Sequence, residues 1–419
     1  MKCAVILLAG LWLLMCALEL FVWRRDIRLF LFAENPAIEI SVSLLNDLIW
    51  VPLGLTLPLY IIYMIFKGSR NYFLRLSSCL LGSGTLVLAL MHLDGYFKYL
   101  LYLIIPFIAL YFYHVIHTRP LRIHVIVYML ALCGLFIHYK IQLIPKLSFL
   151  QSSSVSTFTV LTYNIQTYQP IKNQIKCVKF VEKANADIVF IQEMDGNLRN
   201  VIRSRLSKYY PYQLWSDKSY DYTGGLILSR FPFITRSNIQ LGTIFSRGQS
   251  NLNHATIQFH GQEIHLYNCH LFHGAHLFLD LVRQEKNRQV RWQKFLEASN
   301  RHQGEAMQIA TRVQEQQAPV ILVGDFNNTP NSYVYQLFSR TMQNAYACAG
   351  WGLGGTYGHK SVYSLVLPRL RFLIFDFLRI DHIFCSHDFK VLSAQVFQVE
   401  GSDHRPMLVQ IRLNNTIDR

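Results

Sequence analysis

Residues 320–330 read VILVGDFNNTP. Four apolar residues run into Gly324, and Asp325, Phe326 and Asn327 follow. An apolar run that stops at glycine predicts a buried strand ending in a tight turn. Side chains alternate along an extended backbone, so Asp325 and Asn327 are expected to point the same way, at one ligand. A polar loop closing a core strand would carry the same letters. The balance shifts because four other strand-like runs end in similar groups: Asn164 after 158–162, Glu193 after 187–192, His270 after 264–269, and Asp403-His404 after 396–401. Asp381 lies inside a further run, 378–385. Carboxylates suit a hard cation, and imidazoles suit proton transfer near neutral pH.

The intervening segments have the patterns needed to position these groups. Residues 172–184 carry Ile175, Val178, Phe180 and Val181 at helical spacing, 225–229 form a short strand closed by Arg230-Phe231-Pro232, and 407–411 form a closing strand. Polar residues gathered at strand ends predict a site at one rim of a stacked sheet. Arg230 is read as capping the turn before Pro232, and His273, His276 and His302 as surface or loop residues.

The 419 residues suffice for two unlike parts. Forty Lys and Arg against 25 Asp and Glu give a formal net charge of +15, which suits a phosphate-bearing partner, nucleic acid or anionic lipid, without choosing between them. Eight scattered cysteines show no CxxC spacing and read as buried thiols rather than a disulfide framework.

The amino-terminal third reads as membrane. Apolar runs at 3–23, 48–66, 76–93, 99–116 and 123–139 each approach the ~17–25 residues that cross a bilayer as a helix. Charge collects between them, at Arg24, Arg25 and Arg28, at Lys67, Arg70 and Arg75, and at Arg119 and Arg122. No small-x-small cleavage site precedes Arg24, so the first run is read as an uncleaved span. Basic residues divide evenly between the two sides, which leaves orientation open. The expected organisation is a multi-span all-α membrane region over 1–145, a linker over 146–157 containing the polar QSSSVST, and a globular domain over 158–419.

In that domain YN at 163–164, QE at 192–193, GGLILSR at 224–230, NCHL at 268–271, GDFN at 324–327, RID at 379–381 and SDH at 402–404 occur in order. Together they resemble the endonuclease/exonuclease/phosphatase superfamily, which includes pancreatic-type deoxyribonucleases, abasic-site endonucleases, inositol-polyphosphate 5-phosphatases and neutral sphingomyelinases. The resemblance implies a four-layered α/β sandwich, two packed mixed sheets flanked by helices, and metal-dependent hydrolysis of phosphate esters. Such chemistry needs a base near phosphorus and positive charge on the non-bridging oxygens. By resemblance Glu193 is the principal ligand of a magnesium or manganese ion, with Asn164 and Asp403 near the same ion. Asp381 pairs with His404, which transfers a proton or holds the phosphate. Asp325 orients or deprotonates the attacking water, Asn327 positions it, and His270 donates a hydrogen bond to the phosphate. Which of Asp325 and His404 is the base stays open. Taken singly, Glu193 reads equally as a solvated strand end and His270 as a core histidine, whereas a lone buried Asp381 would be costly without a partner.

Two stretches bear on substrate. Residues 277–298 read as a basic amphipathic helix, suited to a membrane surface, to nucleic acid, or to plain packing on the domain. Residues 363–377, YSLVLPRLRFLIFDF, read as an apolar lip facing lipid or as an ordinary buried strand. With the spans, and with GDFNNTPNSYVY and GGTY, the chain is most similar to the membrane-anchored bacterial branch of the superfamily. The expectation is an integral, multi-pass protein of a bacterial inner membrane, the side of its catalytic domain open with a lean to outside the cytoplasm, hydrolysing a phosphate ester or diphosphate of a membrane lipid. A membrane-tethered nuclease is the alternative, and a non-catalytic scaffold a third. No protein partner is implied.

Overall fold

Segments such as Ile188–Gln192 and Val320–Asp325 are buried at every residue, as strands covered on both faces must be. The computed structural model describes residues 157–414 except 167–168, 195, 217–223, 242–249, 273–286, 331 and 358–377. The five apolar runs, the linker and the 363–377 stretch lie outside the described residues. Among the described residues no helix is long and apolar enough to cross a membrane.

The first strands are β1 (Thr157–Asn164), β2 (Ile188–Gln192), β3 (Tyr212–Trp215) and β4 (Leu226–Ser229). Next come β5 (Phe233–Leu241), β6 (Ser250–Phe259), β7 (Gln262–His270) and β8 (Val320–Asp325). The last are β9 (Gln343–Asn344), β10 (Asp381–Cys385), β11 (Phe389–Val396) and β12 (Met407–Leu413). They form two six-stranded mixed sheets, ordered β11-β12-β1-β2-β4-β3 and β5-β6-β7-β8-β10-β9. The helices are α1 (Ile171–Ala184), α2 (Arg199–Leu206), α3 (Arg288–Gln314), α4 (Tyr333–Ser339) and α5 (Ala345–Ala349).

Alternation along the strands sorts the apolar side chains into three layers of core. Val160, Ile188, Phe190 and Ile227 meet Ile257, Leu266, Ile321 and Ile383 between the sheets. Their neighbours Leu161, Val189 and Leu228 turn outward onto Val178 and Val181 of α1 and Ile202 of α2. On the other side Tyr267, Leu322 and Phe384 pack against Ile309 and Val313 of α3 and Phe338 of α4. The order is helix, sheet, sheet, helix, the four-layered sandwich that the resemblance implies.

Two parallel pairs define the rim. β1 pairs with β2 and β7 with β8, and each pair needs a crossover, supplied by α1 and α3. The carboxyl ends of these four strands carry Asn164, Glu193, His270 and Asp325. Antiparallel β10 begins at Asp381, opposite Asp325. Antiparallel β12 begins at Met407, opposite Thr162, which brings the 402–406 loop to the same end. Gly324 makes the β7–β8 approach possible: at φ +149° a Cβ there would lie 1.8 Å from the Cys269 carbonyl oxygen.

Several boundaries differ from the sequence reading. The segment 396–401 is not a strand; β11 ends at Val396, and the Phe397 N–H closes onto the Pro406 carbonyl, starting the loop that carries Ser402-Asp403-His404. Asp381 opens its strand rather than sitting within it. Of the helix expected over 277–298, residues 277–286 lie outside the described residues. The described helix runs from Arg288 to Gln314, capped by Asn287, whose side chain accepts from the N–H groups of Gln289 and Val290. It is the β7–β8 crossover that parallel pairing demands. His302 is a correction. It lies within this helix and is 1% exposed, because α3 presses it onto the loops after β7 and β8. His273 and His276 lie outside the described residues. Arg230 pairs with Asp187 at 3.0 Å and donates to the Asn185 carbonyl, so it ties a turn. Cys177, Cys269 and Cys385 are buried thiols.

Candidate active site

Asp325 Oδ2 is the oxygen on which the rim converges. The Asn164 side-chain amide donates to it at 3.0 Å, and Nε2 of His270 and Nε2 of His404 each stand 3.7 Å away. The same Asn164 amide donates to Glu193 Oε1 at 2.9 Å, and that oxygen lies 3.6 Å from His270 Nε2. Asp381 Oδ2 accepts from His404 Nδ1 at 2.9 Å. That bond fixes the imidazole so that Nε2 faces Asp325. Asp403 Oδ2 accepts from the Gln166 side chain at 2.8 Å, while the backbone N–H of Gln166 holds the Asn164 oxygen. Glu193, Asn164, Asp325, Asp381, His270, Asp403 and His404 therefore share one rim, although up to 240 positions separate them in the chain.

Asn327 behaves differently from its expected alignment with Asp325. Its φ is +50°, so the alternation of the extended strand stops at Asp325. Its backbone N–H donates to Asp325 Oδ1 at 2.8 Å, and its side-chain amide to the Leu271 carbonyl at 2.9 Å. Gln166 and Glu193 also have φ near +52°. Three non-glycine residues in the left-handed region, each just beyond a strand that ends at the rim, are backbone strain held by the surrounding structure.

Burial sets the electrostatics. It raises Asp325 above the usual carboxylate range, helped by the facing Asp381 and opposed by both histidines. Burial also raises Asp403, with the Glu193 charge adding to the effect and His404 working against it. For His404 burial acts downward, yet Asp381, Asp325 and Asp403 outweigh it and hold the imidazole well above its ordinary value.

Other polar groups, singled out in the sequence only as letters within motifs or not at all, build the frame. Gln192 and Asn268 meet between the sheets, next to Glu193 and His270 respectively. The Asn268 amide also donates to the Ile191 carbonyl at 3.0 Å. Gly225 lies so close that a Cβ would fall 2.1 Å from Asn253 Oδ1. The Thr356 hydroxyl accepts from the N–H groups of Ile380 and Asp381, and Tyr357 lays its ring 4.7 Å from that of His404. Ser402 donates to the Asn164 carbonyl and accepts from the His404 N–H, locking the SDH loop to β1. The sequence signal for these is their place inside QE, NCHL, GGLILSR, GGTY and SDH, except Asn253, which lies in no motif.

Residues 161–404, more than half of the chain, match the Endonuclease/Exonuclease/phosphatase family. The chain belongs to that family. Members of the endonuclease/exonuclease/phosphatase family are metal-dependent phosphoester hydrolases. Among solved structures, humanized D. rerio TDP2 is 16% identical with a TM-score of 0.45, over 61% of this chain and 99% of its own. An endonuclease/exonuclease/phosphatase from Bacteroides vulgatus is 18% identical with a TM-score of 0.46, over 62% and 99%. The human Nocturnin catalytic domain with bound sulfate anion is 16% identical with a TM-score of 0.43, over 62% and 95%. Comparison with curated proteins returns no match.

The residues present fit the divalent cation of the endonuclease/exonuclease/phosphatase family. Ligand atoms of Glu193, His270 and Asp325 lie within 4.8 Å of one another, as do those of Asp325, Asp381 and His404. Oδ1 of Asp381 and Oδ1 of Asp403 are buried without a hydrogen-bond partner among the described residues. Buried carboxylate oxygens lacking donors are costly unless a cation satisfies them. Oxygen donors of this kind suit magnesium or manganese rather than a soft metal.

Proposed function

We propose that this protein is a membrane-anchored phosphoesterase that uses a divalent metal to hydrolyse a phosphate ester or diphosphate of a membrane lipid. The observation that carries the reading is the convergence of Asn164, His270 and His404 on the single buried oxygen Asp325 Oδ2, with Asp381 holding His404 from behind. Glu193 and Asp403 would hold the metal, with Asn164 beside it. When bound it would supply Lewis-acid stabilisation of charge on the phosphate oxygens.

The protein's own groups do the rest. Asp325, its Oδ1 held by the Asn327 N–H, orients the attacking water and takes its proton through Oδ2. The P–O bond to the leaving group breaks, and that oxygen departs with the electron pair, to be protonated by solvent. His404, oriented by Asp381, donates from Nε2 to a phosphate oxygen, and His270 donates from Nε2 on the other side. The GGTY segment buttresses the dyad through Thr356 and Tyr357. Burial of the whole set strengthens each charge–charge contact relative to water.

The lipid preference rests on the apolar runs of the first 145 residues. As spans of a bacterial inner membrane they would hold the domain, outside the cytoplasm, beside bilayer-embedded phosphates and raise their effective concentration. The deciding assay offers the purified full chain polyprenyl diphosphate, sphingomyelin, phosphoinositide and plasmid DNA, with magnesium or with EDTA. Magnesium-dependent release from a lipid is expected. Cleavage of plasmid alone would overturn the lipid preference in favour of a tethered nuclease, and no cleavage of any substrate would reject the hydrolase.

A further inference from the structure

Helix α3 does more than cross between β7 and β8. Phe272, two residues beyond His270, is gripped by three side chains of one helical turn. Its N–H donates to Glu305 Oε2 at 3.0 Å, its carbonyl accepts from His302 Nδ1, and its ring lies 4.3 Å beneath the Arg301 guanidinium. Arg301 Nε in turn donates to Glu305 Oε1 at 2.8 Å, and the Glu305 side chain is fully buried. A carbonyl can only accept, so His302 Nδ1 carries the proton and Nε2 is left to accept from the Asn328 side-chain amide. Asn328 follows Asn327 and is gripped a second time, its carbonyl accepting from His382 Nε2 at 2.8 Å.

The two loops are also tied to each other. The Leu271 N–H donates to the Asp325 carbonyl at 2.9 Å, and the Leu271 carbonyl accepts from the Asn327 side chain. All four main-chain polar groups of residues 271–272 are thus bound, two by the β8 end and two by α3. We infer that α3 is a positioning element for the active site: Arg301, His302 and Glu305 clasp Phe272 and Asn328, and through them fix His270 and Asn327 against Asp325. Burial holds His302 below its ordinary pKa, which keeps the single-proton imidazole that both bonds require. A buried carboxylate and a buried imidazole spent on one loop residue would be an expensive way to gain stability alone. Their effect on reaction is large because small displacements of catalytic groups are costly to rate.

The inference rests on the phosphoesterase reading, and its test separates the two. The full chain, wild type and the variants Glu305→Ala, Glu305→Gln and His302→Asn, is assayed with magnesium on bis(4-nitrophenyl) phosphate. Amide hydrogen exchange of the peptide spanning 271–272 is followed in the same samples. Glu305→Ala is expected to lower kcat by about 10–100-fold, with KM and the magnesium dependence within about twofold, and to speed exchange. Glu305→Gln keeps an acceptor for the Phe272 N–H and is expected to restore both. His302→Asn keeps a donor for the Phe272 carbonyl but loses Asn328, so a smaller fall in kcat is expected, and it serves if Glu305→Ala does not fold. Unchanged exchange, or faster exchange with unchanged kcat in a folded variant, would overturn the inference. A wild-type chain inert toward the ester would reject the phosphoesterase reading instead, while unchanged exchange in the variants would still reject the clasp.

Discussion

The Gln192 side-chain amide donates to Asn268 Oδ1 at 2.7 Å across the space between the two sheets. Both residues are almost fully buried, and each stands beside a site residue, Glu193 on β2's side and His270 on β7's. With the Asn268 amide donating to the Ile191 and Leu226 carbonyls and the Asn164 amide to Asp325, the contact is part of a polar seam at the rim end of the apolar layer between the sheets. It adds hydrogen bonding to packing in setting the spacing of the two halves of the site.

Removing it should cost both stability and rate. Asn268→Ala leaves the Gln192 amide only Thr162 Oγ1 as acceptor and takes a donor from the Ile191 and Leu226 carbonyls, and each buried group left unsatisfied costs about 1–3 kcal/mol. A clear fall in melting temperature is expected, together with loss of activity in the fraction still folded. Asn268→Ala with wild-type melting and wild-type turnover would show that the staple is dispensable.

Glycine offers a sharper contrast. Gly324→Ala places a Cβ against the Cys269 backbone at a φ that L-residues avoid, so the β7–β8 ladder must part at the base of His270 and Asp325. Gly261 has φ +81° but nothing within 4 Å, so Gly261→Ala meets only the conformational penalty, about 1 kcal/mol. Circular dichroism and turnover of the two variants should therefore diverge, with activity lost only at position 324.

How far these features were legible depended on whether the local pattern and the tertiary requirement agreed. The central strands β2 and β8 are buried at every residue and stood out as apolar runs, as did β1, buried from Val160 on, while β12 showed as an alternating strand with one face half-buried. β5 and β6 did not: Thr235, Arg236 and Ser237 face solvent on β5, and Asn253 and His254 interrupt β6. Their pairing is with consecutive strands, β5 with β6 and β6 with β7, so it is the polar residues on their open face, not the distance of their partners, that hid them. The site carboxylates and imidazoles were legible because each closes a recognisable run. Asn327's turn away from the strand was not, because it depends on a left-handed φ and on the Leu271 carbonyl. His302 was hidden for a related reason. Its value lies in what α3 is laid upon, and the polar residues around it, SNRHQGE, give no apolar stripe.

A pH dependence of stability is expected from the outer face of the second sheet. His254 Nε2 and His265 Nδ1 share one hydrogen bond at 3.0 Å, with Tyr267 stacked on His254, Ser237 at its other nitrogen and Glu263 beside His265. Burial, then His265, lowers His254 from its ordinary value to about 4. Burial lowers His265 as well, with Glu263 opposing. The folded protein keeps His254 neutral where the unfolded chain already binds a proton. The stability from this pair is therefore complete above about pH 6.5 and is lost as pH falls from there toward about 4. Melting temperatures across that window should fall more steeply for wild type than for His254→Gln. Equal slopes would remove the pair as the cause.

Substitutions at the rim should separate metal holding from proton transfer. Asp325→Asn keeps the shape and the Asn327 contact but cannot take a proton, so turnover should fall by about 10²–10⁴-fold with magnesium binding retained. Glu193→Ala should instead raise the magnesium concentration needed for half-maximal rate. If both variants lost rate and metal affinity alike, the division of labour between the two carboxylates would be wrong.

Metal removal gives a test that needs no substrate. Glu193, Asp325, Asp381 and Asp403 crowd one rim, and two of their oxygens are buried without a donor among the described residues. Repulsion within that set weakens the folded state, and a divalent cation relieves it, so ligand linkage requires the melting temperature to rise with magnesium. At a magnesium concentration one hundred times the dissociation constant the gain is about 2.7 kcal/mol. EDTA should reverse it, and calcium should reproduce part of it, because calcium accepts oxygen donors with less demanding geometry. Asp403→Asn removes one charge from the cluster. It should therefore raise the melting temperature of the metal-free protein while shrinking the response to magnesium. A metal-free melting temperature that falls on this substitution would mean that Asp403 serves the fold through its bond to Gln166, and that the cation sits elsewhere on the rim.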